Sequence, residues 1–187
     1  DDPAYKKALV FVQRCQMLAV TNDQPLAADA TDGGFIYTPA NGGHSMAGSE
    51  ELNGRTQLRS YGSMTYTGFK SMIYANVARN DPRVKAAWDW IRRNYTLESN
   101  PNMPGKQAGE GLYYFYQVFG KALQAWGEPM LVDAKNVPHD WREDLVDQLL
   151  KQQRPDGSWV NEADRWYEGY PHLVTGYAVL SLQSALR

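Results

Sequence analysis

The sequence predicts an all-α fold of three stacked helix pairs. Three observations carry that expectation. Apolar residues recur at three- and four-residue spacing in six segments. Helix signals bound most of these segments: Pro3, Asp81-Pro82, Asp140 and Pro171 at starts, Gly127 at an end. Within each pair one segment carries charge on one side (KK, RR, RED), and its partner is far less charged, so the first should face solvent and the second should be buried.

The first helix is expected over residues 4–17, where Ala8, Leu9, Phe11, Val12 and Cys15 keep helical spacing. A long segment rich in Gly, Asn, Asp, Ser and Thr follows and reads as loop. The second helix, 64–79, has Ser63 as its candidate N-cap. The third, 83–95, buries a stripe of Ala87, Trp88, Ile91 and Tyr95. The fourth, 110–126, is strongly aromatic and closes on Gly127. After the connector EPMLVDAKNVPHD, Asp140 caps the fifth, 140–153; the sixth, 172–186, starts behind Pro171. FIYTP and SWV are too short to count as strands. The expected core comprises Phe11, Phe69, Ile73, Trp90 and Phe115, with Phe119, Leu149, Trp159, Leu180 and Leu182.

The pairs align on one another as units of a single domain, 1–187, with units at about 1–80, 81–130 and 131–187. DGGF follows the first helix and DGSW the fifth, while TGF and TGY mark the second and sixth. The middle unit lacks this turn. No pair can bury its faces alone, so the pairs must stack. In the turn, Gly157 tolerates positive φ, Trp159 is placed to pack back on the helix it leaves, and Gln153 can bond backbone groups at a neighbouring helix end.

Gln153-Arg-Pro-Asp-Gly157-Ser-Trp159 resembles the QW motif of squalene-hopene and oxidosqualene cyclases; Gln16, Gly33 and Phe35 form a similar set with a long insertion. The paired helices resemble the prenyltransferase and squalene oxidase repeat superfamily. LRSYGSMTYTGFKSMIYA, DPRVKAAWDWIRRNYTLE and DGSWVNEADRWYEG are more closely similar to a planctomycete-type bacterial family of such repeats. The resemblance implies an α/α toroid, terpenoid cyclase- and protein prenyltransferase-like, with inner helices around a central cavity. Three pairs would then be an arc of a larger ring, completed by a second copy or by an upstream half of a longer chain. It implies a bacterial protein, leaves export open, and points to an isoprenoid-type apolar substrate that is bound or transformed.

Other classes are excluded or left open by the residues. Net charge is −2, and no basic patch interleaved with aromatics occurs, which excludes nucleic-acid binding. No apolar run is long enough for a transmembrane helix. The single cysteine, Cys15, forms no disulfide framework and sits in an apolar stripe. His44, His139 and His172 lack metal-ligand spacing, so neither metal nor cofactor is expected; Asp133, His139 and Asp140 lie close in sequence, with Asp140 read as a cap. The DxDD acid of class II cyclases is absent, and Asp164 stands alone.

A polar-aromatic set remains around the starts of the less charged helices. Tyr61, Tyr66, Tyr113, Tyr114 and Tyr116 are candidate ligand contacts, as are Trp166, Tyr167 and Tyr170. Asp164, Glu168, His172 and Glu110 are the candidate acid–base groups. Such a wall suits an isoprenoid chain held against aromatic faces. It also suits a sugar chain stacked on rings, with a carbohydrate-active lyase or hydrolase as the matching enzyme. The remaining alternative is a non-enzymatic binding or scaffold module whose aromatics fill a narrow core.

Overall fold

The computed structural model describes residues 2–52 and 54–186. Six helices form: α1 (Pro3–Arg14), α2 (Gly62–Tyr74), α3 (Pro82–Arg93), α4 (Leu112–Trp126), α5 (Trp141–Gln152) and α6 (Pro171–Ala185). The expected starts are physical ones. Asp2, Asp81 and Asp140 each accept hydrogen bonds from amides of the first turn, and Pro3, Pro82 and Pro171 open their helices. Gly127 ends α4 at φ 80°. α2 stops at Tyr74, short of the expected 79, and Asn76 reverses the chain at φ 56°. Ser63 is not its cap. Tyr61 occupies that position, and the Ser63 amide donates instead to Asn100 Oδ1 at 3.0 Å, from the loop that precedes α4.

The expected purely helical architecture is corrected. Two antiparallel two-stranded ribbons join the helices, so the fold is mixed. The first pairs β1 (Ser49–Leu52) with β2 (Arg55–Leu58), Ser49 opposite Leu58. The second pairs β3 (Met130–Val132) with β4 (Pro138–Asp140), Leu131 opposite His139. The first segment was read as polar loop and the second as a connector. Pairing here is local: Asp133 Oδ1 accepts the amides of Lys135 and Val137, both at 2.8 Å, and so closes the second ribbon. The implied toroid is not seen either. α4 lies between α2 and α6 in one layer, with α1, α3 and α5 against them.

Burial follows that order. Ten of the fifteen α4 residues are buried, against none in α1. Phe69, Phe115, Phe119, Trp90, Leu149 and Trp159 are buried as expected. Phe11 and Leu180 are exposed, and Ile73 and Leu182 only half-buried. α1 and α6 end the row, so each keeps an uncovered side.

The repeat is visible in the backbone itself. Gly33 and Gly157 share φ 83°. Met17 N donates to Gly34 O and Gly33 N to Met17 O, as Arg154 N donates to Ser158 O and Gly157 N to Arg154 O, and Asp32 accepts from Gly34 N as Asp156 does from Ser158 N. The turn then delivers an aromatic residue onto the following helix. Phe35 N donates to Thr65 Oγ1 at 3.0 Å, and Trp159 N to Thr175 Oγ1 at 3.1 Å. Thr65 is therefore the counterpart of Thr175, and TGF and TGY are not in register. Trp159 packs back on α5, its Nε1 donating to Leu149 O at 2.8 Å. In the first unit Gly68 makes room, since a Cβ there would overlap the Phe35 ring.

Trp159→Ala is expected to cost about 3–5 kcal/mol in urea unfolding, as for other buried aromatic truncations. Gly157→Ala should cost roughly 1–2 kcal/mol, the penalty of a left-handed L-residue. Gly33→Ala should cost more at the same φ, because its Cβ would come within 2.6 Å of the Ala86 carbonyl oxygen. Equal costs for the two glycines would contradict that packing.

Candidate functional site

The N-terminal ends of α2 and α4 and the loop leading into α6 meet around one cleft of about 270 Å³. Its wall is aromatic and thioether: Tyr61, Tyr114, Trp166 and Tyr177 with Met46 and Met64. Tyr61 is buried at the start of α2. Burial, with the Tyr114 and Tyr37 phenols nearby, holds its hydroxyl above the usual phenol range. Burial raises Tyr177 as well, helped by the Glu168 carboxylate. These phenols therefore stay protonated across the physiological range and act as neutral donors.

Glu168 is the one carboxylate among the lining residues, and it is 1% exposed. Its geometry assigns it a structural task. The N-cap of α4 is Gly111, at φ 66° with no side chain to offer. Glu168 takes that place from the third unit: Oε1 accepts Tyr114 N at 2.8 Å, and Oε2 accepts Tyr113 N at 3.3 Å and Asn161 Nδ2 at 2.6 Å. Burial outweighs these bonds and raises its pKa.

Gly111 also admits Trp166. A Cβ there would stand 3.0 Å from Cζ3 of the indole. Trp166 and Tyr167 both adopt left-handed backbone, at φ 58° and 67°, a cost of about 1–3 kcal/mol each for such side chains. Arg165 lies 4.7 Å from the Trp166 ring centre and pairs with Glu110 at 2.7 Å. At this partly exposed position the ion pair contributes about 0–1 kcal/mol.

The expected site residues divide three ways. Tyr61, Tyr114, Trp166 and Glu168 meet at the cleft. Tyr66, Tyr113 and Tyr116 are core: Tyr66 packs on Phe115 and Phe119, and Tyr116 donates to Leu97 O at 2.7 Å. Tyr167, Tyr170, Asp164 and His172 are exposed beside the cleft rather than in it, and Glu110 is tied to Arg165. Met46, Met64, Tyr37 and Tyr177 were missed. Nothing local marked Tyr177 or the methionines as cleft residues. Of the QW-like residues, Gln16, Gly33, Phe35 and Trp159 are buried, whereas Gln153 and Gly157 are exposed. Gln153 donates to Gly157 O at 2.9 Å, within its own turn, and not to a neighbouring helix end.

A second polar group lies on the outer side. His139 stands 3.4 Å from both Asp133 and Asp144, its ring stacks on Tyr95, and Tyr95 donates to Asp144 at 2.7 Å. Asp140 is occupied as the α5 cap. Among the described residues no three His, Cys, Asp or Glu side chains are placed to hold a metal ion, and no helix is long and apolar enough to cross a membrane. Burial pushes the Cys15 thiol up to about 11. No family model, curated protein or solved structure matches the chain.

Glu168→Ala strands two α4 amides and Asn161, and is expected to cost about 1–3 kcal/mol. The pH dependence has a definite sign. The folded pKa lies above the ordinary 4.5, so the folded state holds the proton more tightly than the unfolded chain. Stability from this group is complete below that value and is lost as pH rises through the folded pKa. Wild type measured against Glu168→Gln should therefore lose relative stability as pH climbs from acid toward neutral. A gap that widens instead would show the carboxylate pKa to be depressed.

Proposed function

We propose that this chain binds a small isoprenoid-type apolar group in the cleft at the starts of α2 and α4, holding it by contact rather than by acid–base chemistry. One observation carries this reading. The wall is built from aromatic rings and thioethers, and its one carboxylate is engaged as a helix cap. Rings and flexible thioethers suit an apolar chain of irregular outline. The volume, about 270 Å³, lies just below the usual range of about 300–1,000 Å³, which fits a short chain or the end of a longer one.

Kinship with the prenyltransferase and squalene oxidase repeats is part of this proposal. The shared turn geometry of Gln16 to Phe35 and Gln153 to Trp159 supports it.

A carbohydrate ligand is the second reading, favoured by Trp166, Tyr167 and Tyr170, which stand 39%, 72% and 54% exposed at the cleft's edge. Such rings offer stacking faces with polar rims.

Geraniol, a ten-carbon isoprenoid alcohol, titrated against the protein should give a saturable change in tryptophan fluorescence. Met64→Trp, which fills the cleft, should weaken that binding at least tenfold as read by calorimetry. Saturation by cellobiose, lost on Tyr167→Ala, would support the carbohydrate reading. A response to geraniol that is linear and unchanged in the variant would sink the apolar one.

A further inference from the structure

We propose that a second copy of this chain docks head to tail, the open face of α1 seating against the open face of α5 and α6. The inference does not depend on what the cleft binds. Its ground is the internal repeat, which shows within one chain the interface that such faces make.

Where the first unit meets the second, a turn is pressed onto a helix. Gln16 Nε2 donates to Gly33 O at 2.9 Å, within its own turn, and to Arg83 O of α3 at 2.8 Å. Gln13 Oε1 accepts from Arg83 Nη1 at 2.8 Å. Gly33 lies against Ala86 and Gly34 against the Trp90 indole. α3 buries Val84, Ala87 and Trp90.

α1 starts as α3 does, with Asp2-Pro3 matching Asp81-Pro82 and each Asp capping the amide two residues on. In this register Tyr5 corresponds to Val84, Ala8 to Ala87 and Phe11 to Trp90. The α3 residues are at most 2% exposed, whereas Tyr5 is 72% and Phe11 51% exposed, and Ala8 is exposed too. α1 thus presents, uncovered, the face that α3 buries.

The third unit presents the other half. Gln153 Nε2 makes the bond to its own turn and, among the described residues, has no counterpart to Arg83 as a second acceptor. Leu150 stands where Gln13 stands in the first unit, and it is 56% exposed. With Thr175 matched to Thr65, Val179 corresponds to Phe69. Phe69 is wholly buried, and Val179 is 53% exposed. The two faces differ from each other and are complementary in the sense that the internal interface already realises. Contact through them is therefore heterologous, one chain's α1 against the next chain's α5 and α6. Exposed apolar patches of this kind mark association surfaces.

Two variants at exposed positions test the geometry. Phe11→Glu blocks the head, and Val179→Glu blocks the tail. In sedimentation velocity, wild type should form concentration-dependent species larger than a monomer, and each variant alone should be monomeric. Mixed in equal amounts, the two variants should give a one-to-one dimer and nothing larger, since one intact head and one intact tail remain. Leu150→Glu should behave as the Val179 variant does, and matching thermal melts verify that the folds are intact. Wild type that stays monomeric at high micromolar concentration overturns the proposal. So does a variant that still self-associates, which would indicate a symmetric contact, and so does a mixture that stays monomeric.

Discussion

The burial of α4 between α2 and α6 is the interaction on which the rest of the structure depends. Tyr113, Phe115, Tyr116, Phe119 and Trp126 supply five aromatic rings of the core, and Tyr66 and Phe69 of α2 pack directly on them. Full burial of one such side chain stabilises by roughly 1.5–3 kcal/mol. A helix buried on so many sides cannot leave its first amides open to solvent, nor can it leave them unpaired at about 1–3 kcal/mol each. The chain meets this need with a carboxylate from another unit, because the α4 N-cap is a glycine. That glycine is in turn favoured by its left-handed φ of 66° and by Trp166, whose ring would stand 3.0 Å from a Cβ. Core packing, helix capping and the wall of the cleft are therefore one problem with one solution.

The same solution limits the chemistry of the cleft. A general acid needs a carboxyl free to give its proton to a ligand. Glu168 instead faces three N–H donors, which favour its charged form, while burial favours the neutral one. Its proton balance serves the α4 terminus. Burial raises the Tyr61 and Tyr177 phenols, which stay neutral. What lines the cleft is aromatic surface, sulfur and hydroxyl.

Much of the fold was legible in the sequence because its signals are local. The Asp-Pro starts at residues 2–3 and 81–82 and the Asp140 cap set helix ends through bonds spanning two or three residues. The Asp-Gly turn, likewise local, revealed the repeat. The ribbons were missed although one had a marker: Asn53-Gly54 between short segments is a hairpin dipeptide. It was outweighed by the polar character of its surroundings. Phe11 was misjudged because helical spacing identifies an apolar face but not whether anything lies against it. At the site, spacing brought the right helix starts together yet could not tell Tyr114, at the cleft, from Tyr113 and Tyr116, which turn into the core within one helical turn. Glu168 was named for chemistry, and its capping partner lies more than fifty residues away, where no local pattern reaches.

The middle unit shows what takes over when the turn is lost. It has no Asp-Gly-aromatic turn, yet it holds both neighbours. Buried Asn100 accepts from Ser63 N and donates to Ser63 Oγ at 2.9 Å and Glu110 O at 3.1 Å, joining the starts of α2 and α4. Asn161 in the third unit donates to Gly109 O at 2.8 Å and to Glu168. Each asparagine lies in the loop before an inner helix and reaches back to the preceding unit. The first two units are thus joined twice, by the turn packed on α3 and by buried Asn100, and the second and third are joined by buried Asn161, the amides lying at the ends that frame the cleft. Buried polar links of this kind define one geometry when every member is satisfied and are costly when one is not. The shape of the cleft is therefore tied to the register between units. Residues from all three units line it, so the stacking of the repeat and the form of the cleft are set by the same few bonds.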